Sequence, residues 1–143
     1  MELKPLEFYL TYNHNDLTNI CRKLKEWDST TDTDRYYTYL KSGFFNQKIF
    51  PFVSYNSIGD MIACTILSVT SSPMYIDSVL YIQWVWIDPH YPSLWKKGMK
   101  FLYEICKQFG IKKITGNTRR LPEAFQRKFG FIQTDAIIEK EVI

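Results

Sequence analysis

Histidine is the scarcest reactive side chain in this sequence. His14 and His90 stand alone, too few for a histidine-based metal site, so a zinc enzyme is not expected. Cysteine is nearly as sparse. Cys21, Cys64 and Cys106 are far apart, odd in number and without metal-ligand spacing. That argues against a disulfide framework and predicts reduced, mostly buried thiols in a cytoplasmic protein. No apolar run approaches the roughly 20 residues of a membrane span, and Met1-Glu2-Leu3-Lys4-Pro5 lacks the apolar centre of a secretory leader, so neither a membrane nor secretion is expected. Linkers, internal repeats and low-complexity segments are also missing. The 143 residues read as one domain spanning 1–143, long enough to bury a single core.

What is present is ordinary soluble-protein composition, 45% hydrophobic and 23% charged, with a high aromatic share of 17%; a well-packed core is the first use expected for the aromatics. The net charge of +3 hides a gradient. Between Leu94 and Gly130, ten Lys or Arg face two acids, Glu104 and Glu123, so that segment carries +8 and the remainder of the chain −5. Basic charge gathered on one unit favours a polyanionic partner (a phosphorylated cofactor, a nucleic acid or an acidic protein surface), against the alternative of a solvated helix face.

The chain is organised around residues 81–130. Tyr81 to Pro89 is a hydrophobic run that reads as a central strand, starting near Val79. His90 to Ser93 is a loop with Ser93 as helix cap, and Leu94 to Phe109 is an amphipathic helix. Its apolar stripe comprises Leu94, Gly98, Phe101, Leu102, Ile105 and Phe109, and Gly110 ends it. Gly98 on the buried side suggests a close approach by sheet, helix or ligand. Ile111 to Thr118 reads as the next strand and Pro122 to Lys128 as a short helix. Upstream, Leu6 to Tyr12 reads as a first strand and Asn15 or Asp16 as a cap. Leu17, Ile20, Cys21, Leu24 and Trp27 form one helical stripe, and a second helix follows from Arg35 with Tyr36, Leu40 and Phe44. Phe50 to Tyr55 and Met61 to Thr70 read as a hairpin turning at Gly59-Asp60, and Phe131 to Val142 as a last strand. The predicted order is β-α-α-β-β-β-α-β-α-β, an α/β fold whose crossover unit places a ligand crevice at the strand ends.

This order and several local motifs resemble the GCN5-related N-acetyltransferase (GNAT) family. Trp86-Ile87-Asp88-Pro89-His90-Tyr91 is similar to the family's exit from its fourth strand. Glu123 to Phe131, with Lys128-Phe129-Gly130-Phe131, is similar to its helix ending in Lys-Leu-Gly-Phe, and Gly59-Asp60-Met61-Ile62-Ala63 to its hairpin. The resemblance covers nearly the whole chain and implies a mixed, mostly antiparallel sheet flanked by helices. It further implies acetyl-CoA as cofactor and an amine of a protein or small molecule as acceptor. By position, the main chain of Val85 and Ile87 would pair with the pantetheine arm, with Lys96, Lys97 and Gly98 at the pyrophosphate.

The sequence also departs from the family's pattern. Pro92 to Gly98 keeps one glycine of the usual phosphate loop and places the bulky Trp95 in it. Arg119 stands where the family has Asn, and Gln126, which has no ionisable proton, where it often has the acid Tyr. Arg119 and Arg120 can grip phosphate or stand solvated at a strand end. Tyr81, Gln83, His90 and Tyr91 are the polar groups near the crevice; none is singled out as a general base. The second reading is therefore a catalytically degenerate GNAT-fold module with a protein assembly partner. Thr118-Arg119-Arg120 together with Ala124 to Phe131 is similar to small bacteriophage-encoded relatives, which implies the host cytoplasm or a virion as alternative locations. A nucleic-acid binder using the basic segment with Trp84, Trp86 or Trp95 has no recognised motif behind it, so nucleic acid is not an expected partner.

Overall fold

The computed structural model describes residues 7–70, 78–116, 130, 131 and 140. These form a five-stranded sheet with two helices against one face and one against the other. The first helix, α1 (His14–Trp27), begins where the Asn13 side chain accepts the Asp16 amide, and it buries Leu17, Ile20, Cys21 and Leu24. In α2 (Thr33–Phe45) the Asp32 side chain caps the Arg35 amide and Leu40 is buried. The strands are β1 (Tyr9–Leu10), β2 (Ile49–Tyr55), β3 (Met61–Thr70), β4 (Val79–Ile87) and β5 (Lys113–Gly116), with α3 (Leu94–Phe109) between the last two.

The strands lie in chain order; β1 to β4 pair antiparallel, and β4 pairs β5 in parallel. The β2–β3 turn closes because the Asn56 carboxamide oxygen accepts the Ile58 and Asp60 amides at 3.0 and 2.9 Å while Gly59 takes φ +94°, a conformation that glycine adopts without strain. Every residue from Met61 to Ser68 is buried, which makes β3 the centre of the core. On one face Leu17, Ile20, Leu40, Val53, Cys64, Ile66 and Trp84 pack together under α1 and α2. On the other, Leu67, Leu80, Leu102, Cys106 and Ile111 pack with Phe50, Phe52 and Phe101 under α3.

The predicted mixed, mostly antiparallel sheet flanked by helices is the architecture found, and α3 has the predicted bounds. Several local expectations are corrected. The first strand is two residues long among the described residues, because the Asn13 cap starts α1 at His14. Neither Asn15 nor Asp16 caps α1: the Asp16 carboxylate instead takes the Thr11 hydroxyl, the Tyr55 hydroxyl and the Asn13 carboxamide N–H. Ser93 sits at the start of α3 in helical conformation (φ −62°, ψ −19°) and makes no side-chain cap, since a capping side chain needs an extended backbone. Phe109 leaves the buried stripe at 69% exposure; Ile111, whose amide donates to the Cys106 carbonyl, is the buried residue there instead. The helix expected over 122–128 and nearly all of the closing strand expected over 131–142 lie outside the described residues.

Candidate functional site

The site is organised by an irregularity in β4. Leu67 pairs with Ile82 and Ile66 with Trp84, so Gln83 is an extra residue, a β-bulge. A bulge reverses the alternation of a strand beyond it. Before it, Leu80 and Ile82 belong with the α3 cluster; after it, Val85 and Ile87 pack with Leu94 at the start of the same helix, while Trp84 and Trp86 pack on the α1–α2 side. Plain alternation would have put Ile82, Trp84 and Trp86 on a single face. The described pairing of β4 with β5 runs from Val79↔Lys113 to Ile82↔Gly116, and β4 continues for five residues, Gln83 to Ile87, past that last pair.

Of the residues singled out from the sequence, Val85, Ile87 and Gly98 come together. With Phe8, Thr65, Trp95, Phe101 and Phe131 they line an apolar cavity of ≈ 50 Å³ between β4 and α3. Pockets that enclose drug-sized ligands run from roughly 300 Å³ upwards, so this cavity is much smaller than a pocket of that kind. Among the described residues Gly98 meets no backbone from outside its own helix: a methyl group there would touch the Phe8 ring at 3.6 Å, an ordinary contact. The close approach expected at Gly98 is therefore not made by any described strand or helix. Trp95 is half-buried and packs on Ile62, Ala63, Ile87 and Leu94. Lys96 and Lys97 are exposed on the first turn of α3, which has no acidic residue and no side-chain cap. A helix start of that kind carries partial positive charge, although the Leu94 and Trp95 amides already donate to the Tyr91 and Pro92 carbonyls at 3.0 and 3.3 Å. Arg119, Arg120 and Gln126 lie outside the described residues.

Past the end of β4, the Asp88 carboxylate accepts the His90 amide at 2.9 Å and faces its ring nitrogen at 2.8 Å. These bonds, the amide's first, hold the Asp88 carboxyl below the usual carboxylate range. The His90 side chain is itself 87% exposed. The Tyr91 hydroxyl accepts the Asn56 carboxamide N–H at 3.2 Å, tying the loop before α3 to the β2–β3 turn. Tyr81 pairs with Ser68 and Thr115 in the sheet. Sequence reasoning missed two features. One is the bulge. The other is the hydrogen bond that the Tyr39 hydroxyl donates to the Gln83 carboxamide oxygen at 2.9 Å. The only signal was the change of apolar parity between Ile82 and Val85.

The sheet order, the bulged fourth strand and the helix that follows it define a GNAT acetyltransferase fold. A GNAT family acetyltransferase from Staphylococcus aureus superposes with a TM-score of 0.69 at 15% identity, covering 96% of this chain and 98% of the other. An aminoglycoside antibiotic 6'-N-acetyltransferase from Acinetobacter baumannii gives 0.74 at 14% identity, with 97% and 99% covered. A predicted acetyltransferase from Clostridium acetobutylicum, crystallised with acetyl-CoA, gives 0.74 at 15% identity, with 96% of both chains covered. At these identities the likeness establishes the fold. No family model matches the sequence, and no curated protein does.

Proposed function

We propose that this chain is an acetyl-CoA-dependent N-acetyltransferase-like protein whose acceptor is an amine of a protein or small molecule. The observation that carries the reading is a juxtaposition: β4, bulged at Gln83 and continuing beyond its described β5 pairs, leads through one short loop to the cation-flanked start of α3, which has no acid in its first turn. Acetyl-CoA supplies an activated thioester carbonyl; the chain's task is to hold and orient it. Main-chain groups of Val85 and Ile87 can pair with an amide-bearing arm as an added strand would. The positive end of the α3 dipole suits a pyrophosphate, with Lys96 and Lys97 adding charge and Gly98 keeping side-chain bulk away. Arg119 and Arg120 are assigned to the same anionic end. The similar structure that holds acetyl-CoA supports this choice of ligand.

A specific observation favours a second reading, a GNAT-fold binding module without catalysis. Trp95, in the first turn of α3, packs into the apolar cluster beside Ile87, where the family pattern has small residues. One experiment separates the two readings: thermal unfolding with and without millimolar acetyl-CoA, on wild type and on Lys96→Glu/Lys97→Glu. A ligand at about 100 times its dissociation constant adds roughly 2.7 kcal/mol, a rise of several degrees. The cofactor reading expects that rise in wild type and a much smaller one in the charge-reversed protein, whose fold is spared because both lysines are exposed. No rise in wild type sinks the cofactor reading and favours the binding module.

A further inference from the structure

A bulge residue is free to choose its side chain's partner, since the flanking packing has already set the strand's two faces. At Gln83 that partner is Tyr39, from α2, whose hydroxyl donates to the carboxamide oxygen at 2.9 Å. The contact spans 44 positions of sequence, so it is a tertiary pin rather than a local turn. It is also set apart from the apolar packing on either side. Trp84, next along β4, meets Trp27 of α1 at 6.0 Å between ring centroids, and Trp86 lies under the Lys23 ammonium at 4.5 Å. These contacts hold the two tryptophans on the α1–α2 side. Gln83 Oε1, in turn, is bonded to the Tyr39 hydroxyl.

From this placement we infer that Tyr39 is a positioning residue for the cofactor-binding stretch of β4, acting through Gln83. The inference rests on the acetyl-CoA reading above for its functional part. Bulges add twist and bend to the strand that carries them. The direction of the Val85 and Ile87 main-chain groups therefore depends on how Gln83 sits. With the Tyr39 hydroxyl in place, that stretch is held in one arrangement before any ligand arrives. Without it, ligand binding has to select or impose that arrangement, and affinity falls accordingly.

The test is a double-mutant cycle on acetyl-CoA affinity by calorimetry, using Tyr39→Phe, Gln83→Leu and the double variant. Each single change is expected to weaken binding by roughly 3- to 10-fold, the equilibrium equivalent of one neutral hydrogen bond. The double variant is expected to be no weaker than the poorer single, because the two groups act as one unit. Fully additive losses, or unchanged affinity in Tyr39→Phe, overturn the inference. A second measurement needs no cofactor: amide hydrogen exchange along β4 in Tyr39→Phe. Faster exchange confined to Trp84–Ile87, with Val79–Ile82 unaltered, is the expected signature. A uniform rise along the strand means general loss of stability and counts against a pin. If wild type binds no acetyl-CoA at all, the functional reading fails and the cofactor role of Tyr39 fails with it; the exchange pattern then reports on the pin alone.

Discussion

The Cys64 thiol is fully buried in the centre of β3, and burial pushes its pKa up, with the Cys21 sulfur adding to the effect. Cys21 is pushed up to about 11, by burial first and by the Asp34 charge second; burial raises Cys106 as well. An acid whose folded pKa is raised makes the protein less stable as pH climbs above the unfolded value, because the unfolded chain then gives up a proton that the folded chain keeps. For a thiol that window opens near pH 8.5, so stability is expected to be flat below it. Above it, each fully buried thiol removes about 1.4 kcal/mol per pH unit. Urea unfolding at several pH values checks this, with Cys64→Ala expected to be less stable at neutral pH and to lose stability less steeply in alkali. That these cysteines are unpaired and buried was legible from their number and spacing. The cap of α1 was not. Asn13, Asn15 and Asp16 can all cap a helix by residue type, and the choice was made by tertiary partners. Asp16 is occupied by hydroxyls from Thr11 and Tyr55, contacts that no local pattern encodes. The same contact with Asp16 adds to burial in pushing the Tyr55 phenol up to about 12.

Helices and strands were legible where one face is apolar along the whole element, as in α3, and less so where a neighbour sets the length, as in β1. Two glycines in helices show how differently the same residue type can be used. A methyl group at Gly43 in α2 would lie 2.2 Å from Ile49 Cγ1 and 2.6 Å from its Cβ. Ile49 is buried and β-branched, so it has little room to turn away. A methyl group at Gly98 in α3 would merely touch Phe8. Gly43→Ala is therefore expected to destabilise by about 1–3 kcal/mol through overpacking. Gly98→Ala is expected to stabilise by up to about 1 kcal/mol through helix propensity. Denaturant midpoints of the two variants, measured side by side, check both signs. Equal losses would mean that Gly98 supports the fold and is not held open for a ligand. Sequence reasoning picked out Gly98 and passed over Gly43, because a helix pattern shows that a glycine is buried but not what it faces.

At the scale of the molecule, the charge gradient and the fold point the same way: the basic segment begins at the helix that follows β4, and α3 starts without a side-chain cap or an acid in its first turn. Left like that, a helix start loses the stabilisation that an acidic residue gives it. Ser93→Asp separates that loss from its use. A carboxylate at the positive end of α3 is expected to raise the stability of the free protein by about 0.3–1 kcal/mol through the helix dipole. The backbone at Ser93 is helical, so a capping bond adds little beyond the charge. The same carboxylate would repel a pyrophosphate held at that end, so the thermal shift caused by acetyl-CoA is expected to shrink while the unliganded midpoint rises. Unfolding midpoints with and without acetyl-CoA, measured in low and high salt, read both effects. Opposite changes place an anion at the start of α3. If the unliganded midpoint rises and the acetyl-CoA shift keeps its full size, the phosphates are held elsewhere, and the uncapped start of α3 is only a weak point of the helix. That division of labour between stability and binding could not be read from one sequence, in which Ser93 to Lys97 looks the same whether that helix start faces a ligand or water.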